Sequence, residues 1–145
     1  MPKVSICIPA YNRADRLKKA IDSVLLQSFT DYEIVITDDS PDTLVEELVS
    51  GYNLPNKIKY YKNAVTLGSP ENWNEAIRKA TGKYIKILHH DDWLNFDDSL
   101  EKYVALLNNN PASDFGFSAT QALSPSGYSY VHAIDDAQLN DLKIK

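Results

Sequence analysis

Two acidic pairs are the residues best placed to do chemistry in this chain. Asp91-Asp92 closes the run Lys83-Tyr84-Ile85-Lys86-Ile87-Leu88-His89-His90, and Asp38-Asp39 closes Glu33-Ile34-Val35-Ile36-Thr37. Carboxylates delivered by the ends of strands stand at the carboxyl edge of a sheet, where open α/β folds bind ligands. Successive side chains alternate along an extended chain, so Asp91 and Asp92 are expected to point to opposite sides. That predicts one metal ligand and one hydrogen-bond acceptor rather than two acids on one ion. Mg²⁺ or Mn²⁺ held by so few protein oxygens completes its shell with water and substrate phosphates. The implied ligand is a diphosphate. His89 and His90 obey the same alternation, which keeps the pair from clamping one zinc ion and predicts one packed and one exposed imidazole.

The elements that must position these acids are legible from periodicity. Val4-Ser5-Ile6-Cys7-Ile8 reads as a buried strand closed by Pro9-Ala10-Tyr11-Asn12. Leu17, Ala20, Ile21, Val24 and Leu25 recur at three- and four-residue steps, predicting an amphipathic helix over 14–27. Residues 33–37 form the second strand. Ser40-Pro41 then offers a capping hydroxyl followed by proline, which predicts a helix through Val49, ended by Gly51. Lys57–Lys62 alternates as an edge-side strand. Ser69-Pro70-Glu71 starts a helix with Trp73, Ile77 and Ala80 as its buried stripe and Gly82 as its stop. The run before Asp91 is expected to be the central strand. Asp97 or Asp98 caps a helix with the stripe Leu100, Tyr103, Val104 and Leu107, and residues 114–119 are expected to form a short strand. The pattern weakens over 121–145, a tail expected to be poorly ordered from Asp135. Alternating strands and helices predict an α/β fold, a mostly parallel sheet with helices on both faces.

Bulk properties narrow the class. With 145 residues, 43% of them hydrophobic, the chain has material for one domain with a real core. A net charge of −5 argues against nucleic acid as a partner, since such binders carry a basic face. The single cysteine, Cys7, permits no disulfide framework within the chain and fits a reducing compartment. The longest apolar runs fall far short of a membrane span and Met1-Pro2-Lys3-Val4 lacks a signal-peptide pattern. The expected location is cytoplasmic, with peripheral association at the inner face of a membrane arising only through a further segment or a partner.

Four segments in register carry a resemblance: Val4 to Asn12 (VSICIPAYN), Ile36 to Asp42 (ITDDSPD), Asn74 to Gly82 (NEAIRKATG) and Ile85 to Trp93 (IKILHHDDW). Together they resemble the nucleotide-binding half of a family 2 glycosyltransferase with the Rossmann-like GT-A fold, over about residues 3–120. The resemblance implies a nucleoside-diphosphate sugar as donor, Mg²⁺ or Mn²⁺ as cofactor, and transfer with inversion to a glycan or lipid-linked acceptor. By position, Pro9, Ala10 and Tyr11 match the wall of the base site, where a flat aromatic covers a base face. Asp39 matches the acid that accepts a ring N–H from the base, which favours UDP or dTDP over GDP. Its neighbour Asp38 is left to ribose hydroxyls or a helix cap. Asp92 matches the metal ligand of the so-called DXD motif, and Asp91 the partner of ribose or of a water on the ion. Asn74 matches a polar position that many relatives precede with a phosphate-reaching arginine. Trp73 stands there instead, so charge neutralisation falls to the metal or to a base such as Lys62 or Arg78.

An inverting transfer needs a general base. In the family it comes from an acceptor-binding half, so the base is expected beyond Lys145. Asp135 and Asp136 are the only late acidic pair within the chain. Two alternatives stay open at this point. One is a non-catalytic nucleotide-sugar-binding module; the other is a receiver-like signalling domain, which also carries acids and Mg²⁺ at strand ends.

Overall fold

A computed structural model describes residues 1–124, 126–127 and 129–133. The chain divides into two compact units, residues 1–104 and 105–145. Asp135 and Asp136 lie outside the described residues.

The first unit is built on a four-stranded parallel sheet in the order β3-β2-β1-β4. Its strands are β1 (Val4–Ala10), β2 (Tyr32–Asp38), β3 (Ile58–Lys62) and β4 (Tyr84–Ile87). Between them run α1 (Ala14–Leu25), α2 (Leu44–Gly51) and α3 (Glu71–Lys79), and α4 (Ser99–Asn109) follows. Every residue of β1 and β2 is buried. Their alternation sorts the two faces. Val4, Ile6, Ile8, Ala10, Ile34 and Ile36 share a core with Leu17, Ile21 and Val24 of α1, Val45 and Val49 of α2, and Leu100 and Val104 of α4. Cys7 and Val35 face the other way, onto Ala76 of α3. Helices therefore cover both faces, and β3 lies at a border as expected.

The run before the second acidic pair is not the central strand. That place belongs to β1, while β4 borders the sheet with Ile85 46% exposed. The ladder between them stops for a covalent reason. Leu88 N–H donates to Cys7 O at 2.9 Å, and the next β1 residue facing β4 is Pro9, which has no N–H to offer. Beyond that point the chain is free to turn.

Local corrections follow from hydrogen bonding. α2 starts at Leu44 rather than at Pro41, because the Ser40 hydroxyl accepts the Asn12 N–H (2.7 Å) instead of capping a helix. The α3 stripe is rotated by one residue from the expected one: Asn72 and Ala76 are buried, while Trp73 and Ile77 are only partly covered.

A polar cluster locks the amino-terminal half of the sheet on the α3 side. Buried Glu33 accepts from the Ser5 hydroxyl (2.6 Å) and from the N–H and hydroxyl of Thr81 (2.7 and 2.8 Å), and pairs with Lys59. Burial alone would raise the Glu33 carboxyl, but these donors outweigh it and pull it down to about 2. Gly82 passes so close to β1 that a Cβ would sit 2.5 Å from Ser5 N, which only glycine permits.

In the second unit, β5 (Thr120–Leu123) and β6 (Ser129–His132) pair antiparallel, with Gly127 at φ 81° in the connection. The strand expected over 114–119 is absent; pairing begins at Thr120, and Phe115 and Phe117 stack on one another at 6.3 Å with both rings exposed.

Candidate nucleotide site

Three strand ends meet at the carboxyl edge. β1 lies between β2 and β4, so the two acidic pairs are separated by Ala10 and Tyr11 rather than placed side by side. Pro9 and Ala10 are buried, and the Ala10 carbonyl accepts from Asp39 N–H (3.0 Å) and from the Asn72 amide (3.1 Å). Tyr11 emerges with 51% of its surface exposed. The next two residues, Asn12 and Arg13, take φ of 55° and 52°, the left-handed region that non-glycine residues seldom visit. Two such residues in succession turn the chain abruptly from β1 into α1, and strain of this kind concentrates at functional sites.

The first acidic pair is buried. Asp38 is fully enclosed and accepts from Ser40 N–H (2.8 Å), the Tyr60 hydroxyl (2.7 Å) and the Lys62 ammonium (2.9 Å). Burial opposes its charge, yet Ser40, Lys62 and Tyr60 hold the carboxyl below its usual range, while burial and Asp38 push the Tyr60 phenol upward. Asp38 therefore neither reaches ribose nor caps α2. Lys62 is spent in the same network, also donating to the carbonyls of Ser40 and Asp42, so it offers no free charge to a phosphate. Arg78 is similarly engaged, with Glu71 and Glu75. Asp39 is 4% exposed, and both of its oxygens are met by donors from Asn63, Leu67 and Gly68.

The second pair is open. Asp91 and Asp92 lie not on an extended strand but in a turn, closed by Asp92 N–H on His89 O at 3.0 Å, so strand alternation does not decide their directions. Both are exposed. Asp91 faces Arg16 of α1 at 3.7 Å, each side chain about half exposed. Among the described residues nothing pairs with the Asp92 carboxylate, and no three His, Cys, Asp or Glu side chains gather as a closed metal cage. Two exposed carboxylates suit a cation that takes most of its shell from phosphate and water. His89 packs edge-on against Trp73 at 4.6 Å, and both imidazoles are partly covered. The segment after the turn is stapled to α1: Gln27 donates to Phe96 O (2.8 Å) and accepts from Leu100 N–H (2.8 Å), and Leu94 N–H donates to the Ser23 hydroxyl (3.1 Å). Asn74 is exposed and bonded to Glu71 of its own helix (3.1 Å). An open groove of about 460 Å³ between α1 and residues 93–97 contains none of the candidate residues.

Three contributors escaped sequence reasoning. Arg16 could have been found as the cation one turn into the helix after the first strand. Asn72 stands four residues before Ala76, a polar residue on a buried stripe. Asn63 left no signal, since its role depends on a loop brought back over β2.

Residues 5–132 match glycosyl transferase family 2. The chain belongs to that family. It is 32% identical over 118 residues to the GalNAc(5)-diNAcBac-PP-undecaprenol beta-1,3-glucosyltransferase of Campylobacter jejuni, covering 80% of this chain and 38% of that protein. It is 33% identical over 129 residues to an uncharacterised glycosyltransferase of Methanocaldococcus jannaschii, covering 87% and 44%. The chain thus spans less than half the length of these relatives. The GT-A fold is confirmed by solved structures. Staphylococcus aureus TarS 1-349 with UDP-GlcNAc aligns at TM-score 0.68 and 20% identity, over 98% of this chain and 48% of that one. The mannosyltransferase PcManGT of Pyrobaculum calidifontis with GDP-Man and Mn²⁺ aligns at 0.68 and 23% identity, over 86% and 36%. Family membership replaces the receiver-like alternative. No helix among the described residues is long and apolar enough to cross a membrane.

Proposed function

We propose that this chain is the donor-binding part of a metal-assisted, inverting glycosyltransferase that takes a UDP- or dTDP-linked sugar. The observation that carries this reading is the open acidic turn at the β4 end of a family 2 sheet, beside an exposed tyrosine at the β1 end. Tyr11 offers a ring face to the base. Asp92 would hold Mg²⁺ or Mn²⁺, and Asp91 would take ribose or a water beside it. Arg16, already drawn to Asp91, is the cation nearest that pair and adds positive charge for the phosphates. When bound, the ion would supply Lewis-acid neutralisation of the departing diphosphate. Support also comes from the fold neighbours, which were solved with UDP-GlcNAc and with GDP-Man and Mn²⁺.

In the transfer itself, an acceptor hydroxyl oxygen bonds to the anomeric carbon as the bond to the diphosphate breaks. The hydroxyl proton passes to a general base. The acceptor is then a glycan or lipid-linked sugar. Calorimetry with UDP, with and without Mn²⁺, tests the reading: Mn²⁺ is expected to raise affinity at least tenfold, or ~1.4 kcal/mol, and Asp92→Ala to remove the gain. Equal affinity with and without metal would end it. Donor hydrolysis by the same protein separates an enzyme from a nucleotide-sugar-binding module that only captures its ligand.

A further inference from the structure

The acid assigned to the base is already occupied by the chain itself. Asp39 Oδ2 accepts Gly68 N–H at 2.8 Å and shares Leu67 N–H with Oδ1 at 3.1 Å, while the Asn63 amide donates to Oδ1 at 2.6 Å. The Thr66 hydroxyl donates to the Asp39 carbonyl at 3.3 Å. All these donors come from one segment, Asn63–Gly68, between β3 and α3. An amide N–H on a carboxylate is the same chemistry as the ring N–H of uracil or thymine on that carboxylate.

We propose that residues 66–68 act as an internal surrogate for the nucleobase, closing Asp39 in the free protein and releasing it when a base with a ring N–H binds. This rests on the nucleotide reading above and extends it to how the base is admitted. The exchange keeps the carboxylate charged: one ring N–H takes the place of the Leu67 and Gly68 N–H donors, while the Asn63 amide stays on Oδ1. The segment's outer side is suited to movement: Val65 is 70% exposed, Leu67 is 36% exposed, and a Cβ on Gly68 would meet nothing within 4 Å. Its Asn63 end is fixed. That amide also donates to Asn72 (2.9 Å), which in turn bonds the carbonyls of Ala10 (3.1 Å) and Thr37 (3.3 Å). The moving part is therefore the stretch after Asn63, and the anchor joins it to the β1 end that carries Tyr11. Affinity for the base is reduced by the fraction of molecules in which the segment is closed. Cytosine, whose ring nitrogen is an acceptor, cannot replace the lost donors.

Gly68→Ala tests this without touching the proposed contacts. Gly68 holds φ +73°, so alanine disfavours the closed segment by backbone strain alone. In Mn²⁺, the variant is expected to bind UDP roughly fivefold tighter than the parent, with CDP affinity unchanged. Amide exchange at Leu67 and Gly68 is expected to quicken on adding UDP to the parent protein, opposite to ordinary ligand protection. Unchanged or weaker UDP binding by the variant, equal tightening for CDP, or slower exchange with UDP would each overturn the surrogate while leaving nucleotide binding standing. Failure of the parent protein to bind UDP at all would overturn both.

Discussion

Asp38-Asp39 and Asp91-Asp92 are the same dipeptide at the ends of two parallel strands, yet they meet opposite fates. The first follows an interior strand and is surrounded by donors: Ser40, Tyr60 and Lys62 on Asp38, and Asn63, Leu67 and Gly68 on Asp39. The second follows a border strand whose ladder Pro9 cuts short, and it turns into solvent. Both pairs follow an apolar run, but the number of donors that the fold brings within reach differs. A buried carboxylate must be paired, so Asp38 is tied into the framework, Asp39 is closed by the Asn63–Gly68 segment, and the second pair is left exposed.

Removing Asp38 should break this contrast most severely. Asp38→Ala takes the counter-charge from Lys62 and the acceptor from Tyr60 and the Ser40 amide, and unfolding in denaturant is expected to show a loss of about 3–5 kcal/mol. Glu33, the other saturated acid, sharpens the rule that donors rather than exposure set carboxylate behaviour. Its folded pKa lies below its unfolded one, so its stabilisation is complete above about pH 4.5 and is lost as pH falls toward about 2. Glu33→Gln should cost about 3 kcal/mol at neutral pH and flatten the acid limb of a stability-against-pH curve; an unchanged limb would show that other groups govern it. Gly82→Ala probes the start of β4, which is held as tightly as its end is open. The clash with Ser5 backbone should cost about 1–3 kcal/mol in thermal or denaturant unfolding. The smallest effect on stability belongs to Asp92→Ala, within about 0.5 kcal/mol, even as Mn²⁺-dependent UDP binding disappears. A large destabilisation there would place Asp92 with the framework acids and erase the contrast.

Much of this fold is written locally. The stripe of α1, the β-branched runs of β1 and β2, and the placing of helices on both faces all follow from apolar period. What periodicity could not convey was lateral order. It marks the run before Asp91 as apolar but says nothing of its neighbours, so a border strand reads like a central one. The engagement of Asp38 with Lys62 is hidden for a related reason. Their pairing joins residues 24 apart through a strand register, and no short motif encodes it. The apolar spacing of Trp73, Ile77 and Ala80 points to one stripe, whereas α3 buries Asn72 and Ala76. Asp91 and Asp92 follow β4 in a turn, so the alternation of an extended chain does not orient them.

The lone thiol of this chain gives the contrast a clock. Cys7 is fully buried on β1 under α3, donates to Ala76 O at 3.4 Å, and is pushed up to about 12 by burial and by Glu33. A thiol reagent can reach it only when α3 lifts from the sheet, because the buried, protonated sulfur is inert. The rate of labelling therefore times how often that helix detaches. With a single sulfhydryl to count, each modified molecule records one opening of the element that anchors the segment over Asp39.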